Sequence, residues 1–179
     1  MDPAEAPEDD TPPNATSSGS GEPPSEPGPA LFREADLTGR LIHTTAHTTI
    51  HQAAYRFPGY LIVTPKSAAE TLGALSAEAL TDFFGALLLA ETFVQRVLQP
   101  ERIYLLKFAE FMPQLHMHVI PRTAFLGKHY EAASREPHPY NGAALTAWLW
   151  NHHGTLGFKD DDLDLFVTRA RAALGTATT

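Results

Sequence analysis

Two histidines two residues apart, in the run Pro113-Gln114-Leu115-His116-Met117-His118-Val119-Ile120-Pro121-Arg122, are the side chains of this sequence best suited to chemistry. On an extended chain, alternate residues share a face, so Gln114, His116 and His118 fall on one side. Leu115, Met117 and Val119 fall on the other, facing a core. Three chemistries fit such a pair. A neutral imidazole can attack phosphorus and form a covalent intermediate, while its neighbour stabilises phosphoryl charge or passes a proton to the leaving group. Alternatively, His-x-His presents two nitrogens to zinc, with His51, His152 or His153 as the third ligand. The remaining reading is two polar residues on a half-exposed strand with no function.

The surrounding sequence supplies the elements that must position this pair. Residues 41–52 are rich in threonine and β-branched residues and read as a hairpin turning near Thr45-Ala46. Residues 60–64, YLIVT, form a short apolar strand entered through Pro58-Gly59 and left at Pro65. Ser67 and Glu70 have capping-box spacing and open a helical turn. The strongest helix runs over 76–99 and stops at Pro100, with Leu80, Phe83, Leu87, Ala90, Val94 and Val97 as its core stripe. Strands are expected at 103–108 and 114–120. A loop follows to Asn141, and helices at 143–150 and 161–174 complete the chain. Strands and helices do not alternate strictly, so the fold class is α+β with an antiparallel sheet backed by the long helix.

The absence of cysteine from the 179 residues excludes disulfides, a thiol nucleophile and thiolate metal sites. Residues 1–30 hold eight prolines, four serines, seven acidic groups and no lysine or arginine. This acidic, Pro-rich tail cannot bury enough apolar surface to offset its conformational entropy and reads as disordered. It has neither an apolar signal core nor an Arg-rich amphipathic pattern, and the sequon at Asn14 is read as accidental without secretion. The remaining chain, 31–179, carries 13 basic and 14 acidic residues. That balance argues against general nucleic-acid binding. With no apolar run long enough to span a membrane, the expectation is a soluble cytoplasmic protein with a small-molecule partner.

The histidine segment resembles the signature of the histidine-triad superfamily, His-φ-His-φ-His-φ-φ with φ apolar. Here it reads Gln114-Leu115-His116-Met117-His118-Val119-Ile120, followed by Pro121-Arg122. The order around it is also similar: a strand after Pro58-Gly59, then Pro65-Lys66, a long helix, a strand at Ile103 and the motif. The resemblance covers a core of 40–125 and leaves 126–174 as a helical extension. It implies that His116 is the nucleophile and that His118 contacts the scissile phosphate. Gln114 stands where the first histidine belongs. The resemblance also implies that the backbone carbonyl at this first position accepts a hydrogen bond from Nδ1 of the nucleophile, and glutamine keeps that carbonyl. Counting back from Pro58, the ribose-binding position falls on Gln52 and an apolar position lining the base pocket on Ile50.

Two departures bear on activity. Tyr60 replaces the histidine often found after Pro-Gly or Pro-Thr, and Ala109-Glu110-Phe111-Met112 replaces the Gly-Gln-Ser/Thr stretch that contacts phosphate and leaving group. The resemblance implies a nucleotide hydrolase or transferase acting at the α-phosphate of a phosphoramidate, a dinucleoside polyphosphate or a nucleoside-phosphosulfate-like compound. The step would pass through a nucleotidyl-histidine, with no cofactor and no metal held by protein ligands, in a homodimer. The alternative is a nucleotide-binding module that lost turnover with its first histidine.

Other polar residues read more plainly. His43, His47 and His51 have helical ligand spacing, but the threonines among them argue for strands. His51 is also the histidine that could substitute for the missing first member. His152-His153 suit a helix C-terminus, where imidazole complements the dipole. Trp148 and Trp150 are read as packing residues, Lys66 and Arg122 as solvated charges, and Asp160-Asp161-Asp162 as the cap of the last helix.

Overall fold

The structure, a computed structural model, describes residues 40–109 and 112–175. The expected disordered tail at 1–30 lies outside them, as do Glu110 and Phe111.

Five strands form one antiparallel sheet: β1 (Leu41–Thr44), β2 (Thr48–Gln52), β3 (Leu61–Pro65), β4 (Arg102–Leu106) and β5 (Met117–Arg122), in the order β1-β2-β3-β5-β4. The hairpin turns at 45–48, where Thr45 N–H donates to the Thr48 carbonyl at 2.9 Å. Asp82 fastens this turn from the long helix, accepting from Thr45 Oγ1 at 2.6 Å and from the His47 N–H at 3.2 Å.

The long helix, α1 (Ala77–Leu98), forms where its periodicity predicts. Ser76 caps it by accepting from the Ala79 N–H, and Gln99 ends it in the left-handed region before Pro100. Phe83, Leu87, Ala90 and Val94 are buried, but Val97 is 46% exposed and stands outside the expected stripe. Gly59 is required at the entrance to β3. Its φ is +89°, and a Cβ there would collide with the Leu98 side chain.

Each sheet face carries its own core. Ile50, Leu61, Val63 and Val119 pack under α1 and the last helix, α4 (Asp160–Leu174). Tyr60, Ile62 and Ile120 pack on the other face with α2 (Ala124–Ser134) and α3 (Gly142–His152). Helix α2 corrects the expectation of a loop up to Asn141. Thr123 caps it, yet only Leu126, Gly127 and Tyr130 are buried along its length. Two large apolar side chains around a mid-helix glycine make a faint periodic signal.

The helical turn expected at Ser67 is displaced. A single 3₁₀ turn forms at Leu72–Ala74 instead, without a side-chain cap. In α4 the expected acidic capping is seen: Asp162 Oδ2 accepts from the Lys159 N–H at 2.8 Å.

Candidate functional site

The ladder of β5 begins at Met117, three residues later than the alternation suggests. Before that point the chain is fastened elsewhere. Leu115 N–H donates to the Ala69 carbonyl at 2.7 Å, and the Gln114 amide donates to the carbonyls of Pro65 and Ser67 at 3.1 and 3.0 Å. The loop after β3 thus clasps residues 114 and 115 and sets the height at which the histidines enter the sheet. Leu115 and Val119 are fully buried on the α1 side, as the alternation requires.

His116 and His118 are brought together. Their ring centroids lie 5.0 Å apart at an interplanar angle of 70°. His116 Nδ1 lies 2.8 Å from the Gln114 carbonyl. A carbonyl only accepts, so this nitrogen carries the proton and the imidazole lone pair sits on Nε2. The first motif position therefore meets His116 through its backbone, while its side chain is tied to the neighbouring loop.

His118 is 5% exposed, and its Nδ1 lies 2.7 Å from the hydroxyl of Tyr60. Burial, with His116 beside it, pulls the His118 imidazole down from the usual 6.5 to about 3. Burial also holds the Tyr60 phenol well above its ordinary range, so this hydroxyl keeps its proton. Phe108 and Trp150 close the aromatic surround of His118, their centroids 6.4 and 6.0 Å from its ring. Trp150 does more than the packing expected of it: its indole N–H donates to the Tyr60 hydroxyl at 2.9 Å. Trp148 does pack, stacked on His152 with centroids 5.0 Å apart.

The depressed His118 value has a consequence for stability. An unfolded chain takes up this proton below pH 6.5, whereas the native chain resists it until about pH 3. The contribution is complete above 6.5 and declines as pH falls, by at most about 1.4 kcal/mol per unit. His153, lowered by burial and by Arg56, adds a loss of the same sign. Urea unfolding at pH 7.5 and 5.5 is expected to show wild type losing about 1 kcal/mol more than His118→Asn. Equal losses would mean that His118 titrates alike in both states.

The two substrate contacts expected outside the motif, Ile50 and Gln52, both lie buried within the fold. Ile50 pairs with Val63 and lies fully buried under α1, on the face away from His118. Gln52 is also fully buried. Its amide donates to the carbonyls of Ala53 and Phe57 at 3.2 and 3.0 Å and accepts from the Gly59 N–H at 2.9 Å. It holds the 53–59 loop through these three hydrogen bonds.

His51 shares the face of His118, but Ile62 stands between them in the register. Two strand spacings, about 10 Å, separate the backbones, so His51 does not take the place of the first histidine. His152 Nδ1 lies 2.8 Å from the Trp148 carbonyl, and His153 Nδ1 accepts from the Arg56 N–H at 3.0 Å. Among the described residues, no three His, Asp or Glu side chains gather to hold a metal. Lys66 donates to the Thr45 carbonyl. Arg122 is not a solvated charge: it is 6% exposed, 3.4 Å from Glu101 and 3.2 Å from the Tyr104 hydroxyl. Among the described residues, no helix is long and apolar enough to cross a membrane.

A family model described as the HIT domain matches residues 38–125. Helices α3 and α4, and nearly all of α2, lie beyond it. Among solved structures, the fold is similar to a hypothetical histidine triad nucleotide-binding protein from Sulfolobus tokodaii strain 7, with a TM-score of 0.52 at 13% identity, covering 75% of this chain and 83% of that one. It is also similar to a HIT-like protein involved in cell-cycle regulation from Bartonella henselae, with a TM-score of 0.49 at 18% identity, covering 75% and 85%. A member of the HIT family from Bacillus subtilis gives 0.44 at 16% identity, covering 78% and 89%. No curated protein sequence matches the chain.

Proposed function

The chain belongs to the histidine-triad family through its HIT domain at residues 38–125, and from that membership we propose that it is a nucleotide hydrolase or transferase acting at an α-phosphate. His116 Nε2 attacks phosphorus and the leaving group departs, giving a nucleotidyl-histidine that water or phosphate then cleaves. His118 holds the phosphoryl oxygens, and Gln114 orients the nucleophile through its carbonyl. The observation that carries this reading is the 2.8 Å contact between His116 Nδ1 and the Gln114 carbonyl, which places the lone pair on Nε2.

The site also favours one leaving-group class. Gln114 cannot titrate, and His118 stays neutral at physiological pH. Neither position then transfers a proton to the leaving group near neutral pH, which suits a phosphoanhydride, whose leaving group departs as an anion, better than an amine. Dinucleoside polyphosphates are accordingly the preferred substrates over phosphoramidates. The same two facts support a second reading, a nucleotide-binding module without turnover.

Chromatography of products from diadenosine polyphosphates and from adenosine and guanosine phosphoramidates separates the two. Release of a nucleoside monophosphate sustains the enzyme. Nucleotide binding without release turns the protein into a sensor or scaffold. Gln114→Ala, which keeps the carbonyl, is expected to lower turnover by less than about tenfold and stability by about 1 kcal/mol, read by kinetics and urea unfolding. A complete loss of turnover would assign the amide itself to the reaction.

The resemblance also implies a homodimer. Phe84 and Leu88, one turn apart on α1 and 48% and 64% exposed, support that assembly.

A further inference from the structure

We infer that Trp150 and Tyr60 form a hydrogen-bond relay that holds His118 in its Nε2–H tautomer, making helix α3 a working part of a site otherwise built by the family domain. The direction of each bond follows from what each group can do. The indole N–H of Trp150 only donates, so at 2.9 Å it occupies a lone pair of the Tyr60 hydroxyl. That hydroxyl has one hydrogen, and His118 Nδ1 lies 2.7 Å away to accept it. A neutral imidazole whose Nδ1 accepts carries its proton on Nε2.

The relay is built rigidly. Tyr60 is fully buried, and its ring stacks on Tyr55 with centroids 5.0 Å apart and planes within 6°. Tyr55 lies in turn 6.5 Å from Trp150, and Phe108 and Trp150 make a T-shaped contact with centroids 5.3 Å apart. Trp150 therefore has little freedom to rotate its donor away.

The two histidines receive opposite instructions. A backbone acceptor at Nδ1 gives His116 a lone pair on Nε2, and a hydroxyl donor at Nδ1 gives His118 a hydrogen on Nε2. Side by side, one ring is set to attack a phosphoryl group and the other to donate a hydrogen bond to its oxygens. Tyr60 and Trp150 are positioning residues, because they act through His118. Their part in turnover rests on the proposed nucleotide chemistry, but the tautomer does not.

Long-range proton–nitrogen NMR of the full chain labelled at histidine nitrogen tests the relay directly. Wild type, Tyr60→Phe and Trp150→Phe would be compared at pH 7. Wild type is expected to show His118 only as Nε2–H, and both variants a measurable Nδ1–H fraction. On the best substrate of the panel, kcat in Tyr60→Phe is expected to fall roughly tenfold with KM little changed. Each variant removes a polar group while keeping an aromatic ring, and if one fails to fold the other carries the comparison. An Nδ1–H signal for His118 in wild type would overturn the relay, as would an unchanged tautomer in the folded variants. A shifted tautomer in a protein whose wild type releases no nucleotide would uphold the relay and sink the enzymatic reading.

Discussion

Replacing His116 with alanine is expected to remove nucleotide release almost entirely, by about 10³-fold or more in kcat, while nucleotide affinity stays within about threefold. The asymmetry follows from the site. His116 is the ring whose lone pair is directed to Nε2 by the Gln114 carbonyl, so its loss deletes the atom that bonds to phosphorus in the proposed reaction. His118, the proposed partner of the phosphoryl oxygens, remains in place, because Tyr60 contacts it without help from His116. Product chromatography and isothermal titration on wild type and His116→Ala would measure both quantities. Turnover retained in the alanine protein would remove His116 from the role of nucleophile. A lost affinity with no turnover in either protein would favour the binding module.

For Gln52→Ala the expected result is a large loss of stability, about 2 to 4 kcal/mol, with nucleotide affinity unchanged. The amide is fully buried and satisfies the carbonyls of Ala53 and Phe57 and the N–H of Gly59 at once. Truncation leaves these groups unpaired where water cannot reach them. The loop they define delivers Tyr55 and Phe57 into the core beneath α3, so the damage extends beyond three hydrogen bonds. Urea unfolding with nucleotide titration checks both halves. An intact fold with tenfold weaker binding would return this amide to the ligand.

The contrast between these residues shows what the sequence can carry. His116 and His118 are legible because a period of two fixes their face and the apolar residues between them fix the opposite one. Counting back from Pro58 located Gln52 and Ile50 along the chain but could not say which way they point. A shift of one residue exchanges the two faces of a strand, and Ile50 belongs to the α1 side. The α+β class, the hairpin and the long helix were readable because each has strong punctuation: Thr45-Ala46, Ser76, Pro100. Helix α2 was not, with Gly127 between its two large buried residues. The contact of Trp150 with Tyr60 spans 90 residues, and no local pattern encodes a pairing that forms only when α3 lies down on the sheet.

That covering has a kinetic meaning. With His116 only 3% and His118 5% exposed, the two imidazoles offer little surface to a nucleotide or to water. In the proposed cycle, the lifetime of the nucleotidyl-histidine then depends on how readily an acceptor approaches so little exposed ring surface, and the choice between hydrolysis and transfer on which acceptor arrives first.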